Sequence, residues 1–404
     1  MSTKAPKKER NYAIQFYRLM FCMSFVLIHV YQVFPGTMGK PPVYLWNLDC
    51  MLPFMAISGY FLMQNYQGVK KKAAAANEKT PPASVLAGKY LLSRIKGLYP
   101  IYLIGTLLGF VIQCLKMGTK LIQIPLAILN ELPEWLAIQI TGIGIGNKFA
   151  GDVILGGSQT GTGNAGSITL NAPLWFISAI FIAGFIVYFC IAKWEETYLT
   201  FVTPILTFVL FATHHLTNTD AMWLYYDYIG NFMLNAGLLK MILLMSVGAL
   251  MWKGVNKLKD YEFTGPAYVF VTICQTIMGI FIVYRTWTPY THPTLGLPIS
   301  FSSVYLLSVP FTFLLLLNKD GFTRAMNLKI WDFPGKLALH FYILHYPLIF
   351  IIGRLPFING DLMKLFITLL IVDWTLSVLL YLLDQKVLQP WIKSWKFMVK
   401  KEEK

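Results

Sequence analysis

Arg18 and His29 stand eleven residues apart within one apolar run, RLMFCMSFVLIHVYQ. At about 100° per residue, that spacing returns to the same helix face after three turns, roughly 16 Å along the axis. Cys22, Phe25 and Gln32 fall on the same face. A guanidinium offers a fixed fork of donors to phosphate or carboxylate, and an imidazole accepts a proton near neutral pH. A charged group in a membrane-spanning segment is costly and normally faces a bundle interior or a water-filled cavity. The pair therefore points to a helix that lines a site. The plainer alternatives are an arginine snorkelling to the interface and a histidine held by a hydrogen bond.

Further candidates lie in other apolar runs. DCMLPFMAISGYFLMQ joins Asp49 at one end to Ser58, Gly59 and Tyr60 deeper in, and a Ser-Gly pair lets a helix or ligand approach the backbone closely. SRIKGLYPIYL sets Arg94 and Lys96 beside Tyr99 and Pro100, suited either to anchoring at an interface or to a phosphate-bearing ligand. Asp373, in ITLLIVDWTLSV, is an intramembrane carboxylate that faces a cavity or pairs with a neighbouring helix. His214 and His215 are adjacent, cannot share a helix face, and read as solvated. The five cysteines, Cys22, Cys50, Cys114, Cys190 and Cys274, are scattered and read as small buried apolar residues. Their spacing is not that of metal ligands, and no metal is expected.

The elements that would position these residues are helices in a membrane. Of 404 residues, 56% are hydrophobic and only 13% charged, which excludes an ordinary soluble enzyme. The expected fold is all-α, a polytopic transmembrane bundle of about ten spans near 14–34, 48–66, 91–113, 173–192, 200–213, 235–252, 264–284, 301–318, 337–353 and 362–383. The net charge of +15 is one-sided in this scheme. With the N-terminus inside, 26 of the 34 Lys and Arg fall on the cytoplasmic side, so both termini are expected there. No aromatic-basic reader motif accompanies the lysines, so a nucleic-acid partner is not expected. MSTKAPKKER precedes the first run without a small-residue cleavage site, and that run reads as a retained helix.

The organisation expected is a basic N-terminus at 1–13, a membrane domain at 14–384 and a basic tail at 385–404. A cytoplasmic linker is expected at 67–90, whose charged flexible segment VKKKAAAANEKTPPAS would lie against anionic lipid or a phosphorylated ligand. An external connection spans 114–172, with an amphipathic piece, LIQIPLAILNELPEWLAIQI, followed by a Gly-rich stretch without a phosphate-loop pattern. No internal repeat is evident.

Taken together, these segments resemble the membrane-bound acyltransferase 3 family. The family's first helix carries a basic residue, ten others, then a histidine, as at Arg18 and His29. Its second ends Ser-Gly-aromatic, as at Ser58, Gly59 and Tyr60; its third opens Arg-x-x-Arg before an aromatic and a proline. Here Arg94, Tyr99 and Pro100 match, Gly97 replaces the second arginine, and Lys96 supplies a nearby charge. APLWFIS around Trp175 and YILHYP around His345, Tyr346 and Pro347 are similar to two later motifs. The resemblance covers nearly the whole chain.

The resemblance implies an integral membrane O-acetyltransferase of the cell envelope, in a bacterial plasma membrane, modifying polysaccharide. It would move an acyl group from cytoplasmic acetyl-CoA to a hydroxyl of an extracytoplasmic glycan or glycolipid. His29 would be the base, or the carrier of an acyl-histidine. Arg18, Arg94 and Lys96 would bind the acyl-CoA phosphates, and Ser58, Gly59, Tyr60, Trp175 and His345 would support the cavity. Some relatives carry fused external domains; with none after WKFMVKKEEK, an extracytoplasmic partner would be a separate protein. The competing reading is a multispan transporter or flippase for a glycan-related or small anionic solute, which the lack of repeats and of midplane helix breaks disfavours.

Overall fold

The computed structural model describes residues 10–33, 51–116, 118–130, 172–209, 236–286 and 301–394. Among these residues the chain is all-helical. The helices are α1 (Ala13–Val33), α2 (Met51–Ala75), α3 (Ala83–Lys116), α4 (Trp175–Thr197), α5 (Ala236–Leu258), α6 (Gly265–Thr286) and α7 (Phe301–Leu317). After them come a short α8 (Gly321–Met326), then α9 (Asp332–Ile352), α10 (Leu362–Leu383) and a last short α11 (Gln389–Ser394).

Among the described residues six stretches are long and apolar enough to cross a membrane: Ala83–Ile112, Phe176–Val209, Leu238–Leu258, Gly265–Ile282, Lys329–Ile352 and Met363–Ile392. Their outward faces are apolar as well. On α6 the exposed residues Val269, Phe270, Ile273, Ile277 and Ile280 follow helical spacing, a surface matched to hydrocarbon rather than water. The chain thus has the character of a multi-pass membrane protein.

At the centre stands α9, buried along most of its length from Gly335 to Ile352. It packs against α1, α3 and α10, while α2 packs along α5, and α3 along α4. The α2–α5 contact is a backbone crossing. A Cβ added at Gly59 would lie 1.9 Å from the Met245 carbonyl oxygen, and one at Gly248 would lie 1.8 Å from that of Ala56. Only glycine permits this approach.

Polar groups close the helix ends. Asp320 accepts from the Thr323 N–H at 2.7 Å and caps α8, and Asp361 accepts from that of Lys364 at 3.1 Å and caps α10. The Lys319 ammonium, only 8% exposed, donates to the carbonyls of Leu258 at 3.0 Å, Lys259 at 2.6 Å and Tyr261, completing the end of α5. Beside it Glu262 meets Arg324 at 2.7 Å, and that guanidinium holds the carboxyl below its usual range.

Two expectations change. The linker at 67–90 is helical through Ala75, consistent with the helix preference of its alanine run, and only 76–82 separate α2 from α3. The fourth and fifth expected spans have no loop between them: α4 runs into a π-helical turn at Tyr198–Val202 and on to 209. Trp194 leaves helical geometry (φ −138°, ψ 47°) and breaks the run there.

Candidate functional site

Arg18, Cys22 and Phe25 of α1 line one cavity of about 250 Å³, as the shared-face spacing requires. Phe54, Ile57, Ser58 and Phe61 of α2 form a second wall, and Tyr90, Arg94 and Leu98 of α3 a third. Phe176, Ile177 and Ile180 of α4 and Ala338, Leu339 and Tyr342 of α9 complete it. Each set follows the i, i+3, i+4 rhythm of one helix face.

The cavity is lined mainly by apolar side chains, with Ser58, Tyr90 and Tyr342 as neutral polar groups and Arg18 and Arg94 as its two cations. Arg18 Nη1 donates to Gln15 Oε1 at 3.3 Å, and the Arg94 guanidinium sits 5.0 Å from the centre of the Tyr90 ring. Among the described residues neither has a carboxylate within ion-pair distance. Two half-buried guanidinium groups with no carboxylate partner among the described residues give the cavity a positive character. Cys22 Sγ reaches the Ala338 carbonyl at 3.3 Å, and Ser58 Oγ is occupied by the Phe54 carbonyl at 2.8 Å.

His29 lies one turn beyond Phe25 and does not line the cavity. It is 4% exposed, and its Nδ1 is 2.9 Å from Nε2 of the fully buried His345. The Phe25 ring stacks on His29 at 6.5 Å, Tyr346 meets His29 edge-on at 5.4 Å, and Tyr342 packs on His345 at 5.7 Å. A hydrogen bond between two imidazole nitrogens needs one N–H and one lone pair. If His29 Nδ1 carries the proton and donates it to His345, the His29 Nε2 lone pair is left as the basic position.

Other expected site residues lie elsewhere. Gly59 serves the α2–α5 crossing. Tyr60 does not line the cavity; Phe61 does, because Tyr60 is two residues, about 200°, from Ser58. The same rotation takes Lys96 off the wall that holds Arg94. Trp175 opens α4, but its side chain lies outside the described residues, as do those of Gln32, Asp49, His214 and His215. Asp373 is buried and accepts from Ser377 on its own helix at 3.3 Å; it neither lines the cavity nor has a basic partner among the described residues. No three His, Cys, Asp or Glu side chains there converge as metal ligands.

A polar cluster unforeseen from sequence fastens the α3 wall. His340 Nε2 lies 3.6 Å from Asp384 Oδ2, and Gln389 donates both to Asp384 Oδ1 at 3.0 Å and to the Gly97 carbonyl at 3.2 Å. Asp384 follows the last apolar run and resembles an ordinary boundary residue in sequence.

The chain matches no protein-family model, no curated protein and no solved structure. The fold and the site define a class: a helical protein of multi-pass character, with a basic-lined cavity beside a buried imidazole pair.

Proposed function

We propose that this protein is an integral membrane acyltransferase that moves an acyl group from acyl-CoA to a hydroxyl of an extracytoplasmic glycan or glycolipid. The observation that carries the reading is the placement of Arg18 and Arg94, without carboxylate partners among the described residues, on one cavity whose lining rings Phe25 and Tyr342 pack on His29 and His345. At about 250 Å³ the cavity is below the roughly 300–1,000 Å³ of pockets that hold a whole small ligand. It suits the narrow pantetheine arm of the donor, with the phosphates held by the arginines.

In the reaction, His29 Nε2 takes the proton of the acceptor hydroxyl as its oxygen attacks the thioester carbonyl. The C–S bond breaks, the new ester C–O bond remains, and the His29 imidazolium returns the proton to the departing CoA sulfur. His345 positions His29 by accepting its Nδ1–H. The ten-span arrangement with cytoplasmic termini belongs to this reading: the donor enters from inside and the acceptor from outside. The ten-span count requires residues 175–209, helical on both sides of the break at Trp194, to supply two passes.

The test is acetyl transfer from labelled acetyl-CoA to surface glycan in membrane vesicles, comparing wild type with His29→Gln at equal expression. Label in the wild-type glycan and none in the variant is the expected result. Equal labelling would return His29 to a structural role.

A further inference from the structure

Two rings that line the cavity also touch the imidazole pair. Phe25 and Tyr342 both line it, and they meet edge to face with centroids 5.8 Å apart. On the far side Phe25 stacks on His29 and Tyr342 packs on His345, neither of which lines the cavity. The two rings thus lie between the lined cavity and the imidazoles they pack on.

The two rings are held differently. The Tyr342 hydroxyl donates to the Pro173 carbonyl in the turn Ala172–Leu174 that leads into α4, and Phe176 braces the ring edge-on at 6.3 Å. Phe25 has no polar tether and is kept in place only by packing.

We infer that Phe25 and Tyr342 form the partition between donor cavity and imidazole pair, and that they set the length of the acyl group transferred. The inference rests on the acyltransfer reading above. An acetyl group needs only a narrow opening between the ring edges, whereas each further methylene must displace a ring. Pockets discriminate one methylene by about 10- to 200-fold, so a partition of this kind restricts transfer to short chains.

The experiment supplies acetyl-CoA, butyryl-CoA and hexanoyl-CoA to membrane vesicles and measures each acyl group on surface glycan by mass spectrometry. Phe25→Ala should raise the ratio of hexanoyl to acetyl transfer by about tenfold or more. Tyr342→Phe, which keeps the ring and loses only the tether to Pro173, should raise it by less. Where Phe25→Ala is not recovered as folded protein, Phe25→Leu carries the same comparison. Acetyl transfer by the wild type with an unchanged ratio in the Phe25 variant overturns the partition and leaves the acyltransfer reading standing. A wild type that transfers none of the three overturns both.

Discussion

His29 on α1 and His345 on α9 share a hydrogen bond of 2.9 Å across 316 residues of sequence, in a part of the bundle closed to solvent. Their bond fixes which nitrogen of His29 is free to act, so the two should fail differently when replaced. His29→Gln should lower transfer by about 10² to 10⁴. His345→Ala should lower it by about 10- to 100-fold, the size found when an outer partner that fixes an imidazole is removed. His345→Gln, which keeps an acceptor oxygen, should recover part of that loss in kcat with KM for acetyl-CoA unchanged. Equal loss in His345→Ala and His345→Gln would count against the positioning role.

Arg18 and Arg94 should each contribute to donor affinity. A charge-assisted bond is worth about 1.5–3 kcal/mol, so each alanine variant should weaken CoA binding by about 10- to 150-fold. Lysine replacements should also weaken it, because an ammonium lacks the fork geometry. Calorimetry in detergent that finds unchanged affinity in both alanine variants would remove the arginines from the donor site.

The α2–α5 crossing should tolerate no side chain. Gly59→Ala and Gly248→Ala each force a methyl into a backbone carbonyl and should destabilise the bundle by about 1–3 kcal/mol or more. A melting temperature in detergent equal to that of wild type would show that the helices separate without penalty.

Lys319→Met should leave the last carbonyls of α5 without their donor. A loss of about 1–3 kcal/mol and faster proteolysis between residues 259 and 264 are expected. Proteolysis at the wild-type rate would mean that the ammonium does not hold this joint.

Single-cysteine labelling in intact cells should find a cysteine at Ala75 protected and one at Gly161 reactive. The reverse pattern would invert the proposed topology.

How far the sequence carried the site depended on whether a relation lay within one helix or between two. Arg18, Cys22 and Phe25 share a cavity because helical periodicity is local, and it was readable from spacing alone. The same rule applied to α2 selects Phe54, Ile57, Ser58 and Phe61, so Phe61 was available where motif resemblance pointed to Tyr60. Applied to α3 it selects Tyr90, Arg94 and Leu98 and passes over Lys96. The His29–His345 bond and the His340–Asp384 contact depend on which helices pack on α9, information no single segment contains. The break at Trp194 was hidden for another reason: its neighbours continue as helix on both sides, and no Gly or Pro marks the bend.

The crossing of α2 and α5 at Gly59 and Gly248 also bears on how the cavity responds to what enters it. Backbone there rests directly on backbone, with no side chain to compress or rotate, so the wall bearing Ser58 and Phe61 is fixed against its neighbour. The α3 wall contains Pro100, which lacks the N–H of a regular helix turn, six residues from Arg94, and it is tied at Gly97 to Gln389. The cavity is thus gripped from two sides, by backbone against backbone at α2 and by the Gln389 strap on α3. A ligand that needs more room would have to work against the α2–α5 backbone contact or the Gln389–Gly97 bond.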